Sequence, residues 1–175
     1  MRDNRPMSRI VLRNATIYPD AEVRTLVRQG FSGLDLNHRQ GSILVRVNHT
    51  RISQRRREAG SRWVYAASGC AYPYVHVRKD VPAGAAWEVR LSVSRPNDFP
   101  VEWYDRHKHF TDLGPLHDWR EALVAIAAHE GKHIELYQRM TPVKRHRRRQ
   151  LSGYAEESRC DAYAAKQVRR YRATT

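Results

Sequence analysis

Residues 118–140 hold the strongest constraint on how this chain can fold. Asp118 stands where a helix N-cap belongs, and Glu121 follows three residues later in capping-box position. An alanine-rich apolar run, Ala122 to Ala128, comes next, and no proline interrupts the pattern before Pro142. The spacing predicts one helix running to about Met140, with a start suited to burial against a sheet. Inside it stands His129-Glu130-Gly131-Lys132-His133. Histidines four residues apart on a helix point to the same side, so both imidazoles can reach one zinc ion. A glutamate beside the first histidine can act as general base toward a metal-activated water. Metal-dependent hydrolysis, most often of peptide bonds, is the chemistry that this arrangement suits.

The rest of the chain reads as α+β: a small mixed or antiparallel sheet with helices packed on it. Arg9 to Ile17 leans toward strand. Pro19-Asp20 opens a short helix with Val23, Leu26 and Val27 on one stripe, and Gly30 is expected to end it. Ser42 to Asn48 reads as a strand, with Ile43, Val45 and Val47 on one face. Residues 50–62 are polar and arginine-rich, as in a loop or an exposed helix. Trp63 to Lys79 holds one or two strands, of which Tyr74 to Lys79 is the more convincing. Pro82 to Ala86 reads as a turn. Trp87 to Ser94 alternates cleanly, with Trp87, Val89, Leu91 and Val93 on one face, and Arg95 to Asp98 ends it. Ser152 can cap a last helix, from about Gly153 to Tyr171. One domain over residues 9–171 is expected, between a flexible N-terminus (1–8) and a short tail (172–175).

An open catalytic zinc site needs a third protein ligand. The last helix offers Glu157, with Asp161 one turn further on the same face. Asp161 can accept a hydrogen bond from the second nitrogen of a ligating histidine and fix its ring. Twenty-three residues lie between His133 and Glu157, enough to end one helix, turn and bring another back alongside.

HExxH followed on a second helix by ExxxD resembles the gluzincin group of zinc metallopeptidases. The short chain is similar to its minimal single-domain members, the minigluzincins, and residues from about 87 to 168 carry the likeness. The resemblance implies a zincin-like fold and one zinc ion per chain, held by His129, His133 and Glu157. It assigns the general base to Glu130 and the supporting carboxylate to Asp161, and Ala162-Tyr163-Ala164 also matches. It implies that the strand before the metal-binding helix binds an extended protein or peptide substrate along the sheet edge. Here that strand is Glu88, Val89, Arg90, Leu91, Ser92 and Val93, expected above His129 and Glu130. An oxyanion donor is also needed; Tyr154, Arg159 and Tyr163 are near in sequence. Two positions depart from the pattern. Gly131 costs about 1 kcal/mol against alanine inside a helix, and Lys132 sets a cation near the metal.

The net charge is +14, with basic clusters at Arg55-Arg56-Arg57 and from Lys144 to Arg149. Such a balance favours anionic partners, nucleic acid first, unless it is only a solvated basic surface. An alternative function follows: a basic nucleic-acid- or virion-associated protein that retains the metal-site scaffold with little or no peptidase activity. The longest apolar run, Ala122 to Ala128, is far too short to span a membrane. Met1 to Ser8 lacks the apolar core of a signal peptide. Cys70 and Cys160 show no pairing pattern. A cytoplasmic protein of bacterial or phage origin is expected. His107, His109 and His117 read as exposed loop histidines, Cys70 as a small turn residue, and Cys160 as a residue that need not face the metal.

Overall fold

Apolar alternation builds the sheet. The computed structural model describes residues 10–36, 41–49, 67–72, 84–102, 113–140 and 154–175. Within these, β1 spans Ile10–Asn14, β2 Ser42–His49, β3 Ala67–Tyr72 and β4 Ala85–Val93. They form one mixed sheet in the order β1-β2-β4-β3. The pairs β1/β2 and β2/β4 are parallel, and β3 runs antiparallel to β4. A short two-stranded pair joins β5 (Val101–Glu102) to β6 (Pro115–Leu116).

The period-2 pattern places Leu12, Ile43, Val45, Val47, Trp87, Val89, Leu91 and Val93 in one buried cluster. Each fully buried Val, Ile or Leu side chain there contributes about 1.5–3 kcal/mol through removal of apolar surface from water. Three helices complete the described architecture: α1 (Asp20–Phe31), α2 (Trp119–Arg139) and α3 (Tyr154–Arg172). The α+β class and the small mixed sheet agree with the sequence pattern. Among the described residues, no helix is long and apolar enough to cross a membrane.

α2 begins as its cap demands. Asp118 accepts from the backbone N–H groups of Arg120 and Glu121, at 2.9 and 3.0 Å. Such a cap stabilises a helix by about 1 kcal/mol. Glu121 does not close the capping box on Asp118. Its carboxylate accepts from the backbone of His117 at 2.8 Å and pairs with Arg172 at 2.7 Å. Arg172 also donates to the carbonyls of Leu113 and Pro115. The start of α2, the β6 turn and the end of α3 are thereby tied together.

Three contacts set the direction of α3 against α2: Glu121 with Arg172, His129 with Asp161, and His133 with Glu156. Numbers rise on one helix as they fall on the other, so the two are antiparallel. α1 lies against α2 at a close approach that two glycines permit. A Cβ on Gly30 would sit 2.7 Å from Cβ of Ala127 and 2.9 Å from the backbone of Val124 and Ala128. Gly30 therefore serves the interior of α1 as a contact point; it does not terminate the helix, which runs on to Phe31. A Cβ on Gly131 would meet Leu34 at 2.7 Å and Phe31 at 3.3 Å. The helix penalty of Gly131 is the condition for seating α1. From the far side, Tyr163 and Gln167 of α3 both donate to the Ser32 carbonyl that follows α1, at 2.6 and 3.0 Å.

The expected edge position of residues 88–93 is overturned. β4 pairs with β2 on one side and β3 on the other, so its backbone is occupied. Alternation reports which face of a strand is buried, not how many neighbours it has. Val89, Leu91 and Val93 point into the core, and Glu88 is buried between Arg46 and Arg90 at 3.1 and 2.9 Å. Burial opposes charge on Glu88, but Arg90 and Arg46 outweigh it and hold the carboxyl below its usual range. The edges of the described sheet are β1 and β3; the one beside β4 is β3, whose Ser-Gly-Cys-Ala interior carries little strand propensity. The expected strand at Tyr74 to Lys79 lies outside the described residues, as do residues 50–62, Ser152 and the Lys144 to Arg149 run.

Candidate metal centre

Two facing helices assemble the site. His129 and His133 lie one turn apart on α2, and their Nε2 atoms are 3.1 Å apart. Glu157 reaches across from α3, with one carboxylate oxygen 3.3 Å from Nε2 of His129 and the other 3.5 Å from Nε2 of His133. Ligands about 2.0–2.1 Å from a common tetrahedral centre stand about 3.3–3.4 Å from one another. The three observed separations, 3.1, 3.3 and 3.5 Å, have that size. Such separations would admit a small divalent cation, and they are equally those of hydrogen-bonded neighbours.

Each ring is held from behind. Asp161 Oδ1 lies 2.9 Å from Nδ1 of His129, at ion-pair distance. Glu156 Oε1 lies 2.7 Å from Nδ1 of His133. Both Nδ1 atoms face carboxylates, so both Nε2 atoms are turned toward Glu157. A carboxylate behind a ligating imidazole fixes its tautomer and raises its basicity.

Cys160 is fully buried beside this group, and its Sγ lies within 4.8 Å of a ring nitrogen of both His129 and His133. His129, His133 and Cys160 form a group that could hold a metal ion. Cys160, which helical spacing alone does not point at the site, lies beside both histidines. One turn from Glu156 and Glu157, it is carried to the same side of α3.

Crowding of carboxylates sets the electrostatics. Burial opposes charge on His129, but Asp161 and Glu157 outweigh it and raise its pKa to about 9. Burial opposes charge on His133 too, and Cys160, Glu156 and Glu157 shift it upward. With Nε2 atoms in contact, the two rings take up protons as a pair. Both imidazoles hold the Glu157 carboxyl far below its usual range. Burial pushes the Cys160 thiol up.

Glu130 stands apart from the donors. It is 4% exposed, and burial pushes its carboxyl up against the pull of His129 and His133. Its carboxylate packs on the backbone of Gly69, in edge strand β3. A Cβ on Gly69 would lie 2.6 Å from Cγ of Glu130, 2.8 Å from Oε1 and 2.9 Å from Cδ. Only a residue without a side chain lets β3 pass this close.

The remaining sequence candidates divide. Lys132 is bonded to Glu135 and sits 5.3 Å over the Tyr163 ring, which fixes the cation by side chains other than the candidate donors. Tyr163 gives its hydroxyl proton to Ser32, so it is a packing residue. Arg159 is exposed, and the Tyr154 side chain, like His107 and His109, lies outside the described residues. Cys70 pairs with Arg90 on β4 as a strand residue, not a turn residue.

No family model, no curated protein and no solved structure matches this chain.

Proposed function

We propose that this chain is a zinc-dependent endopeptidase of the gluzincin type, built on a zincin-like fold. The observation that carries the reading is the meeting of His129 Nε2, His133 Nε2 and the Glu157 carboxylate within 3.1–3.5 Å, beside the buried Glu130. His129, His133 and Glu157 would hold one zinc ion. When bound, zinc supplies Lewis acidity to a peptide carbonyl and to a water molecule.

The chain's own residues do the rest. Asp161 and Glu156 hold the two rings with Nε2 forward. Glu130, its pKa raised by burial, takes the proton of the attacking water on its carboxylate and returns it to the leaving nitrogen. A carboxyl raised from its ordinary value accepts and releases a proton near neutral pH more readily than an exposed one. Of the two edge strands of the described sheet, β3 is the substrate strand, since it is the one that passes beside Glu130. An extended peptide adds there by main-chain hydrogen bonds, and Gly69 brings that edge to Glu130.

Metal analysis of the purified chain should give about one zinc, lost in Glu157→Gln and retained in Glu130→Gln. Hydrolysis of an unfolded protein should vanish in both variants. A wild-type chain that binds zinc and cleaves nothing would identify a metal-binding module instead.

A further inference from the structure

The opposite face of α3 carries a separate pattern. Its exposed positions are Ala155, Arg159, Ala162, Lys166, Arg169 and Arg170, at the three- and four-residue steps of one helix face. Every charge among them is positive. Glu156, Glu157 and Asp161, the carboxylates of the helix, are engaged with the histidines of α2. Among the described residues, none of the four cations is drawn into an ion pair.

The arrangement is unfavourable for the helix alone. Lys166 has Arg169 and Arg170 at i+3 and i+4, where like charges repel across one helix turn. The helix dipole welcomes cations in the last turn, which accounts for Arg169 and Arg170. It gives no such reason for Arg159, in the second turn. Chain composition points the same way as the stripe: the net charge is +14, with 27 arginines against 5 lysines. Guanidinium groups bind phosphate oxygens in a fork that ammonium groups lack.

We propose that the outer face of α3 is a docking surface for the phosphate backbone of nucleic acid. From Arg159 to Arg170 is eleven residues, about 16 Å along the helix, or roughly five steps of 3.4 Å along one DNA strand. A surface made for anionic membranes would add large apolar side chains that enter the lipid. This face has only alanines beside its cations, and the exposed large hydrophobic of the described residues is Ile17, elsewhere in the fold. The partner is thus read by charge and not by base sequence. The surface does not depend on the peptidase reading, since it uses none of the metal-site residues.

Anisotropy of a labelled random-sequence DNA duplex, titrated with the full chain over a salt series, tests this. Four phosphate contacts contribute about −3.6 to the slope of log K against log[salt]. The triple variant Lys166→Gln, Arg169→Gln, Arg170→Gln should flatten the slope by about 2.7 and weaken binding at 0.1 M salt by tenfold or more. Arg13→Gln, Arg24→Gln, Arg28→Gln removes equal charge from other exposed positions and should change the slope by less than one unit. A melting curve checks that both variants fold. Equal loss in the two variants, an unchanged slope in the α3 variant, or no duplex binding by the wild type overturns the proposal. Capture by phosphatidylserine vesicles without duplex binding overturns it as well.

Discussion

Gly69→Ala probes the contact between edge strand β3 and Glu130, the proposed general base. A new Cβ would lie 2.6–2.9 Å from three atoms of the Glu130 side chain. Ordinary carbon contacts are about 3.5–4.0 Å, so the carboxylate must retreat by about 1 Å. A displacement of that size at reacting groups reduces rate on the order of a hundredfold, equivalent to about 2.7 kcal/mol of transition-state stabilisation. Stability should change little, by about 1 kcal/mol or less, because the displaced atoms are the end of a flexible side chain. Zinc content should not change, because Glu130 is not among the donors. Initial rates on a fluorescently labelled unfolded protein, zinc content and Tm, measured on the same preparation, separate these effects. A variant that cleaves within twofold of wild type refutes the placement of Glu130 as base. A rate loss that tracks loss of zinc refutes its cause.

Two further outcomes are expected. Burial opposes charge on the histidine pair, but Asp161, Glu157, Cys160 and Glu156 raise its affinity for protons, to a pKa of about 9 at His129. Zinc must displace at least one proton, so its affinity should rise about tenfold per unit from pH 6 to 8, and a flat profile by competition with a chelating dye would contradict this. In the metal-free chain the sign reverses. A raised folded pKa stabilises fully below about pH 6.5, and that stabilisation is lost as pH rises through about 9, visible as a falling Tm. Arg172→Met should leave Glu121, 7% exposed, without its cation. Removing one partner of a buried pair costs about 3–5 kcal/mol. Partial exposure of Arg172 brings this to about 2 kcal/mol, a Tm drop of about 4–8 °C, and a shift under 1 °C by circular dichroism would refute it.

What the sequence made legible was local. The Asp118 cap, the i, i+4 histidines and the Glu157–Asp161 pair each lie within one helix, where 3.6-residue geometry fixes direction. Once two such helices meet, Glu157 and Asp161 find His129 and His133 without further information. Strand neighbours are another matter. Alternation in Trp87 to Ser94 gave the correct face but not the central position, because pairing depends on residues far away in the chain. β3 falls within Trp63 to Lys79, which reads as one or two strands, but Gly69, which permits the close approach of Glu130, and Cys70 leave it little propensity of its own. Glu156 is not legible from spacing, because the i, i+4 step from Asp161 singles out Glu157. The doubled glutamate is its one visible signal: Glu157 reaches both imidazoles and Glu156 stands behind His133. Gly30 read as a stop because glycine usually follows a helix, whereas here it removes a side chain from a helix crossing.

The Ser32 carbonyl has a consequence for how such a site can be mapped. It receives Tyr163 and Gln167 of α3, yet neither α1 nor Ser32 contributes an atom to the donor group. The rotation and height of α3, and with them the reach of Glu157, are set partly from a helix that lies outside the candidate donor group. Lesions at Gly30, Tyr163 or Gln167 should therefore imitate the loss of a ligand. A mutational screen scored by metal content alone would count more ligands than the site has, and only a spectroscopic signature of the donor atoms would separate those that bind from those that aim.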